Sequence, residues 1–278
     1  MESSCNREPF IRWNDARHFQ LLAQGVLLVG IASRLDFGPS PSACLLLTAG
    51  ALITQIAGSC FYRLPRLDLR SALVTGLSLT LLLRADVWWV YPLAGALAIA
   101  SKFVIRMRGR HLYNPSNFAI VTLLLLSDHV WISPGQWGDS LWILALLTLL
   151  SCQVLQKVGR LDIALFFLAG HAFLLSGRTL WLQDPWAIPF HQLQNGNLLL
   201  FSFFMITDPK TTPAGRSGRL LYALIVAALS YWLAFFEGVY PALLYGLALL
   251  SPTVPLLDYW FPPGSGFIRT RPVLQHAG

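Results

Sequence analysis

The chain has 278 residues, of which 55% are hydrophobic and only 12% charged. Its mean hydropathy is +0.57. Soluble domains carry about 25% charged residues, so a soluble enzyme or soluble binding module is excluded and a polytopic membrane protein of one domain is indicated. The net charge of +7 does not point to nucleic acid, because of where the basic residues fall.

Residues 1–17 mix Glu2, Arg7, Glu8, Arg12, Asp15 and Arg17 ahead of the first apolar run. They read as a cytoplasmic lead-in to a retained span rather than a cleaved signal peptide. Ten apolar runs follow, at roughly 18–33, 41–61, 69–83, 87–105, 116–130, 140–157, 161–180, 195–206, 219–236 and 240–257. Residues 259–278 form a C-terminal tail. If every run crosses with the N-terminus cytoplasmic, all of the twenty basic residues except Arg34, Arg84 and Arg178 fall on the inner side. That is the positive-inside bias. It also places the C-terminus inside, and anchoring of cytoplasmic loops accounts for the charge.

The third run, Leu69–Leu83, and the eighth, Asn195–Ile206, are too short. As helices they reach about 22 and 18 Å, against a hydrocarbon core of about 30 Å. A re-entrant third run would push Arg106, Arg108 and Arg110 outside, against the charge bias. The expectation is therefore a half-helix continued by extended backbone, buried in protein or lining a cavity. The short runs are the third of each set of five. The fold class expected is thus all-α integral membrane, with ten transmembrane segments in two inverted five-helix halves (about 18–130 and 140–257) and half-helices at positions three and eight. Such paired interruptions point to a central site.

Three polar clusters sit at these breaks: Arg70–Gly76, Gly109–Asn117 and Thr207–Thr212. Pro115 and Pro209 each end or delay a helix. The backbone groups freed there, with Asn114, Asn117 and Thr207, are placed to hydrogen-bond a polar ligand. Turn chemistry at the membrane surface explains the same residues without one, and both readings stand on the residues alone. Asp208 is expected to be neutralised at the cytoplasmic edge by Lys210, Arg216 or Arg219, since an ionised carboxylate inside costs about 2.5–3.5 kcal/mol. Asp68, Asp86, Asp128, Asp139, Asp162, Asp184 and Asp258 lie at segment ends and read as solvated or capping.

Cys5, Cys44, Cys60 and Cys152 show no CxxC or metal-ligand spacing, and the three in apolar runs read as small buried hydrophobes. No metal site is expected. The six histidines have no paired ligand spacing, and only His171 falls mid-run. Trp88, Trp89, Trp131, Trp137, Trp181, Trp186 and Trp260 lie at run ends, as interfacial belts require. Walker A, a strand-linked GxGxxG and a Ser-His-Asp arrangement are absent from the sequence.

"LRSALVTGLSLTLLL", "GRHLYNPSNFAI" and "SFFMITDPKTTPAGRSGRLLYALIVA" together resemble the RnfD/NqrB family, whose members are membrane components of Rnf electron-transport complexes and of sodium-translocating NADH:quinone reductase. The likeness covers roughly residues 66–258, and the FFMxTDPxTxP-like block is its most specific part. It implies ten spans in two inverted halves, a bacterial inner membrane location and a flavin between the halves in a redox chain coupled to ion movement. It leaves open whether the chain is itself catalytic or only an electron-transferring subunit. Typical members carry a Ser-Gly-Ala-Thr-like loop whose threonine is esterified to FMN. This chain has "SDHVWISPGQWGDS" in that place, so non-covalent FMN or riboflavin is the expectation. The shortness and the missing loop resemble stand-alone RnfD-like proteins of bacteria, some of them labelled enediyne biosynthesis proteins. Other redox membrane subunits enter as partners only through this resemblance; the lipid bilayer is a partner on composition alone.

The expected ligand-facing residues are Arg70, Thr75, Asn114, Asn117, Thr207, Asp208, Thr212 and Arg219. Arg70 and Arg219 are expected at the cytoplasmic edge, favouring an anionic group or pairing with Asp208. Two rival classes remain. One is a urea-channel-like transporter of a small polar solute or flavin-related compound, by analogy of fold alone. The other is a scaffold subunit whose polar clusters only hold the half-helices.

Overall fold

The computed structural model describes residues 16–34, 39–65, 67–133 and 141–263. The ends of the chain, with Cys5 and the C-terminal tail beyond 263, lie outside the described residues, as do Trp137 and the second half of the loop read for flavin attachment.

The structure is mostly helical, and polar residues at the ends of apolar runs set the boundaries. In the first half of the chain lie α1 (Ala16–Arg34), α2 (Pro41–Phe61), α3 (Leu69–Leu82), α4 (Val90–Val104) and α5 (Pro115–Leu126). Ser40, Asp68 and Asn114 each cap a helix by accepting a backbone N–H from the first turn. Pro41 and Pro115 occupy first-turn positions where no N–H is needed. The second half holds α6 (Leu141–Val158), α7 (Leu161–Leu182), α8 (Ala187–Leu193), α9 (Gly196–Leu200), α10 (Arg216–Phe235), α11 (Ala242–Leu250) and α12 (Val254–Trp260). A 3-10 turn, Ser251–Thr253, joins the last two. The short α8 lies in what the sequence reads as a connection.

Among the described residues, four helices are long and apolar enough to cross a membrane: Pro41–Phe61, Leu161–Leu182, Arg216–Phe235 and the composite Ala242–Trp260. Their outer faces carry large exposed apolar side chains, among them Leu45, Ile53, Phe173 and Leu249, a belt that water would not tolerate. Trp88, Trp89, Trp131, Trp181, Trp186 and Trp260 are all exposed at segment ends. Cys60 is exposed too, unlike the half-buried Cys44 and Cys152.

The two short segments end differently. α3 runs directly into extended backbone, β1 (Leu83–Ala85). This strand pairs antiparallel with β4 (Val130–Ile132), which follows α5, placing Leu83 opposite Ile132. The eighth segment departs from expectation. After five residues of α9 the chain widens into a π-helical turn, Phe201–Met205, and then enters turns rather than extended backbone. Two hydroxyls back-bond to carbonyls four residues earlier: Ser202 Oγ to Leu198 O and Thr207 Oγ1 to Phe203 O. Such back-bonding bends helices. Asp208 then closes an Asx turn by accepting the Lys210 N–H at 3.0 Å, which keeps the chain from extending.

Between α4 and α5 stands a hairpin of β2 (Arg106–Met107) and β3 (Arg110–His111). Its two-residue turn, Arg108-Gly109, has φ of 51° and 79°, the geometry that suits tight hairpins.

Helix pairs repeat along the chain. α2 packs on α4 and α7 on α10; α4 packs on α5 and α10 on α11; α1 meets α6 and α5 meets α11. Glycines permit the closest of these contacts. A Cβ at Gly95 would collide with the Leu47 carbonyl and the Ala51 N–H, and one at Gly50 with the Pro92 carbonyl. Small residues at crossings are how helices approach in lipid, where hydrophobic driving force between helices is lost. Gly95→Leu should therefore cost about 3 kcal/mol, read as a lowered unfolding midpoint of the detergent-purified chain. Gly177→Ala, on an α7 position with open space around it, should stabilise by up to about 1 kcal/mol.

Candidate functional site

A cavity of about 260 Å³ opens where α3, the hairpin, the start of α5 and the end of the π-helical turn converge. Its polar wall includes Ser71, Thr75 and Ser78 from α3, Lys102 from α4, and His111, Asn114, Thr207 and Asp208. Its apolar wall includes Val74, Val154, Leu155, Phe203 and Phe204.

The Asn-Pro-Ser-Asn stretch works as a hub. Asn114 Oδ1 accepts the Asn117 N–H, and Asn114 Nδ2 donates to Met205 O at 3.3 Å. Ser116 Oγ donates to Thr75 O, and Asn117 Nδ2 donates to Leu244 O at 3.2 Å. One turn of α5 is thus bonded to three other segments. Asn117 points away from the cavity and holds α11; its Oδ1 has no partner among the described residues.

Lys102 is the feature sequence reasoning missed. Its Nζ donates to Ser71 Oγ (2.9 Å), Thr75 Oγ1 (3.0 Å) and Ser71 O (3.3 Å), using all three ammonium protons. In the sequence it reads as one more cytoplasmic anchor beside Arg106, Arg108 and Arg110. The available signal was the pair Ser71 and Thr75, four residues apart on one face of α3, facing the end of an apolar run that holds a lysine.

Asp208 lies 3.5 Å from His111 Nε2, and both side chains are largely buried. Burial opposes its ionisation, but His111, the Lys210 N–H and the charge of Lys102 outweigh that and hold the carboxyl below its ordinary value. Arg219 does not pair with Asp208. It forks onto Asp162, with Nη2–Oδ2 at 2.6 Å and Nε–Oδ2 at 3.1 Å, because Asp162 in the first turn of α7 faces the first turns of α10. Arg216 is also nearer Asp162, at 4.0 Å. Asp162 is accordingly an ion-pair partner rather than a solvated cap. Arg70 bonds His18 on α1 at 3.1 Å, in the first turn of α3 and outside the cavity lining.

The loop 208–215 is held by arginines from three elements. Arg110 donates to the carbonyls of Pro209, Lys210 and Thr212 and pairs with Asp258. Arg160 donates to Pro213 O at 2.8 Å, and Arg219 to Ala214 O at 2.8 Å. Thr212 does not reach the cavity; its Oγ1 donates to Asp208 O within the loop. Of the eight residues expected to face a ligand, Thr75, Asn114, Thr207 and Asp208 line the cavity. Arg70, Asn117, Thr212 and Arg219 support its surroundings.

The lining carries Arg17, Lys102 and Lys210 against the single carboxylate of Asp208. Arg17 is paired with Asp68, and the remaining excess of positive charge suits an anionic group. No cluster of three potential metal ligands occurs among the described residues.

These features define a multi-pass α-helical membrane protein with a polar cavity between interrupted helices. Residues 125–265 match the NQR2, RnfD, RnfE family, which is half of the chain, and the chain belongs to that family. It is similar to the D subunit of the ion-translocating oxidoreductase complex of Alcanivorax borkumensis, at 34% identity over 130 residues, covering 46% of this chain and 36% of that protein. The same component from Escherichia coli O81 is 31% identical over 128 residues, covering 46% and 35%. The chain thus spans about a third of the length of the relatives it matches. The family match includes the Phe-rich block and Asp208 but not residues 66–124, so the Asn114-Pro115 motif lies outside it.

Arg110→Ala should destabilise the purified protein by about 2–3 kcal/mol, since several carbonyls lose charged donors. Arg110→Lys should recover less than half, because an ammonium does not span the same fork. Thermal unfolding of the three proteins checks both. Because the folded Asp208 titrates below the ordinary 3.8, its contribution is complete at neutral pH and is lost as pH falls through that depressed value. Asp208→Asn should flatten this acid limb of the stability curve.

Proposed function

We propose that this chain is an electron-transferring membrane subunit of a bacterial inner-membrane redox system, with the Lys102 cavity as a non-covalent site for the anionic end of FMN. The observation that carries this is the cavity's composition: excess positive charge in a polar wall with five hydroxyls, beside Phe203 and Phe204. A fixed cation attracts a phosphate, and the aromatic and aliphatic wall suits a planar ring. The volume of about 260 Å³ falls below the roughly 300–1,000 Å³ of pockets that enclose drug-sized ligands, so the cavity would enclose part of a flavin. A flavin held there would supply one- and two-electron redox chemistry. The chain's own task would be to neutralise the phosphate through Lys102 and Lys210 and to keep water from the ring side. Membership of the family and the names of the similar subunits support a redox partnership coupled to ion movement. The repeated packing of α2 on α4 and α7 on α10, with α1 on α6 and α5 on α11, supports two related halves with the site between them. The positive-inside bias supports cytoplasmic termini.

A second reading is a passage for a small polar solute. Its support is a small void beside Gln24 that shares Ser78 and Phe204 with the first cavity and Leu82 and Met205 with a second one. Absorption spectra of the detergent-purified chain with added FMN, before and after denaturation, separate the two. The flavin reading expects a bound flavin band that is released on unfolding. Lys102→Met should weaken FMN binding at least about tenfold, or 1.4 kcal/mol. No band, together with solute flux in liposomes, would replace it with the passage.

A further inference from the structure

A second cavity, of about 190 Å³, lies on the other side of the broken eighth segment, between α7, α9, α10 and the start of α11. Its walls are mainly apolar, with Leu82, Ile132, Leu175, Leu198, Phe201 and Met205 among them. None of its lining residues is Lys, Arg, Asp or Glu. Three buried polar atoms at it have no hydrogen-bond partner among the described residues: His171 Nδ1, Asn197 Oδ1 and Ser230 Oγ. An unpaired buried polar atom costs about 1–3 kcal/mol, so this concentration asks for an occupant.

Each group is held in place. Asn197 Nδ2 donates to Ser133 O at 2.5 Å, which leaves its Oδ1 as a pure acceptor. The His171 ring stacks on Phe167, with centroids 5.8 Å apart and planes 18° apart. Ser230 is 1% exposed, and any Cβ at Gly246 would run into its hydroxyl, so glycine there keeps the hydroxyl uncrowded. Water alone is a poor occupant. The volume has room for about six waters at roughly 30 Å³ each, and most of the wall they would face is apolar.

We propose that this cavity binds a small uncharged molecule that combines an apolar ring or chain with an N–H donor and a carbonyl acceptor, a primary amide or a close relative. The donor would meet Asn197 Oδ1, and the acceptor would meet the Ser230 hydroxyl. A charged ligand would find no counter-charge there and would be excluded. The site stands apart from the Lys102 cavity and does not depend on flavin.

The test is saturation-transfer NMR on the full chain in nanodiscs, with benzamide as probe, benzoate as its charged twin and toluene as its apolar twin. Benzamide should bind, benzoate should not, and toluene should bind at least about tenfold more weakly than benzamide. Ser230→Ala removes only a hydroxyl without a partner, so it should leave the unfolding midpoint unlowered while weakening benzamide about tenfold. Asn197→Leu should weaken it further. Lys102→Met should leave benzamide binding unchanged, which separates this site from the flavin reading. Absence of a benzamide signal, equal binding of benzoate or toluene, or benzamide binding indifferent to Ser230→Ala would overturn the proposal.

Discussion

The constraint on which the rest depends is the backbone freed where the eighth segment stops. Residues 209–214 sit beside a helical membrane core and have no helix or strand to absorb their carbonyls. Unpaired backbone groups are not tolerated in such a setting. Arginine supplies the solution, because its planar fork carries several donors at fixed spacing. Arg110 from the hairpin, Arg160 at the start of α7 and Arg219 on α10 each reach the loop. Basic residues that bound the apolar runs are therefore also the clasp of the break.

That clasp positions the candidate site. The loop carries Asp208 to His111 on the hairpin, and the hairpin leads straight into Asn114-Pro115. Asn114 closes the circuit by donating to Met205 at the end of the π-helical turn. The cavity is what remains between these bonded elements. Its chemistry comes from Lys102, whose ammonium is held by α3 hydroxyls rather than by a carboxylate. A positive charge whose hydrogen bonds all go to neutral oxygens leaves a potential that an anion can use.

Much of the fold is legible in the residues, for physical reasons. The apolar run 41–61 forms α2 with the same bounds, because Ser40 and Pro41 are a cap and a first-turn residue. The short third run forms a helix passing into extended backbone, because its length does not span the hydrocarbon core. The eighth run is short as its sequence indicates, but it does not continue in extended form. Its π-turn arises from hydroxyl back-bonding by Ser202 and Thr207, a weak local signal in a run of phenylalanines. The site is legible only in part. Thr75, Asn114, Thr207 and Asp208 are marked by their breaks in hydropathy. Arg219 looks from the sequence like a partner for nearby Asp208, whereas its true partner, Asp162, is 57 positions away and only the packing of α7 on α10 brings it near. Lys102 looks like every other inner-side cation until α3 is laid against α4.

The two interrupted segments are also secured by different kinds of bond. The third ends in a backbone ladder, with β1 locked in register against β4. The eighth ends in a loop held by side chains. A ladder yields only when its strands separate together, whereas each arginine can release its carbonyl by a change of rotamer and take another. The chain therefore has one stiff shoulder and one compliant shoulder around the same polar centre, and any rearrangement that a bound molecule induces is channelled into the second.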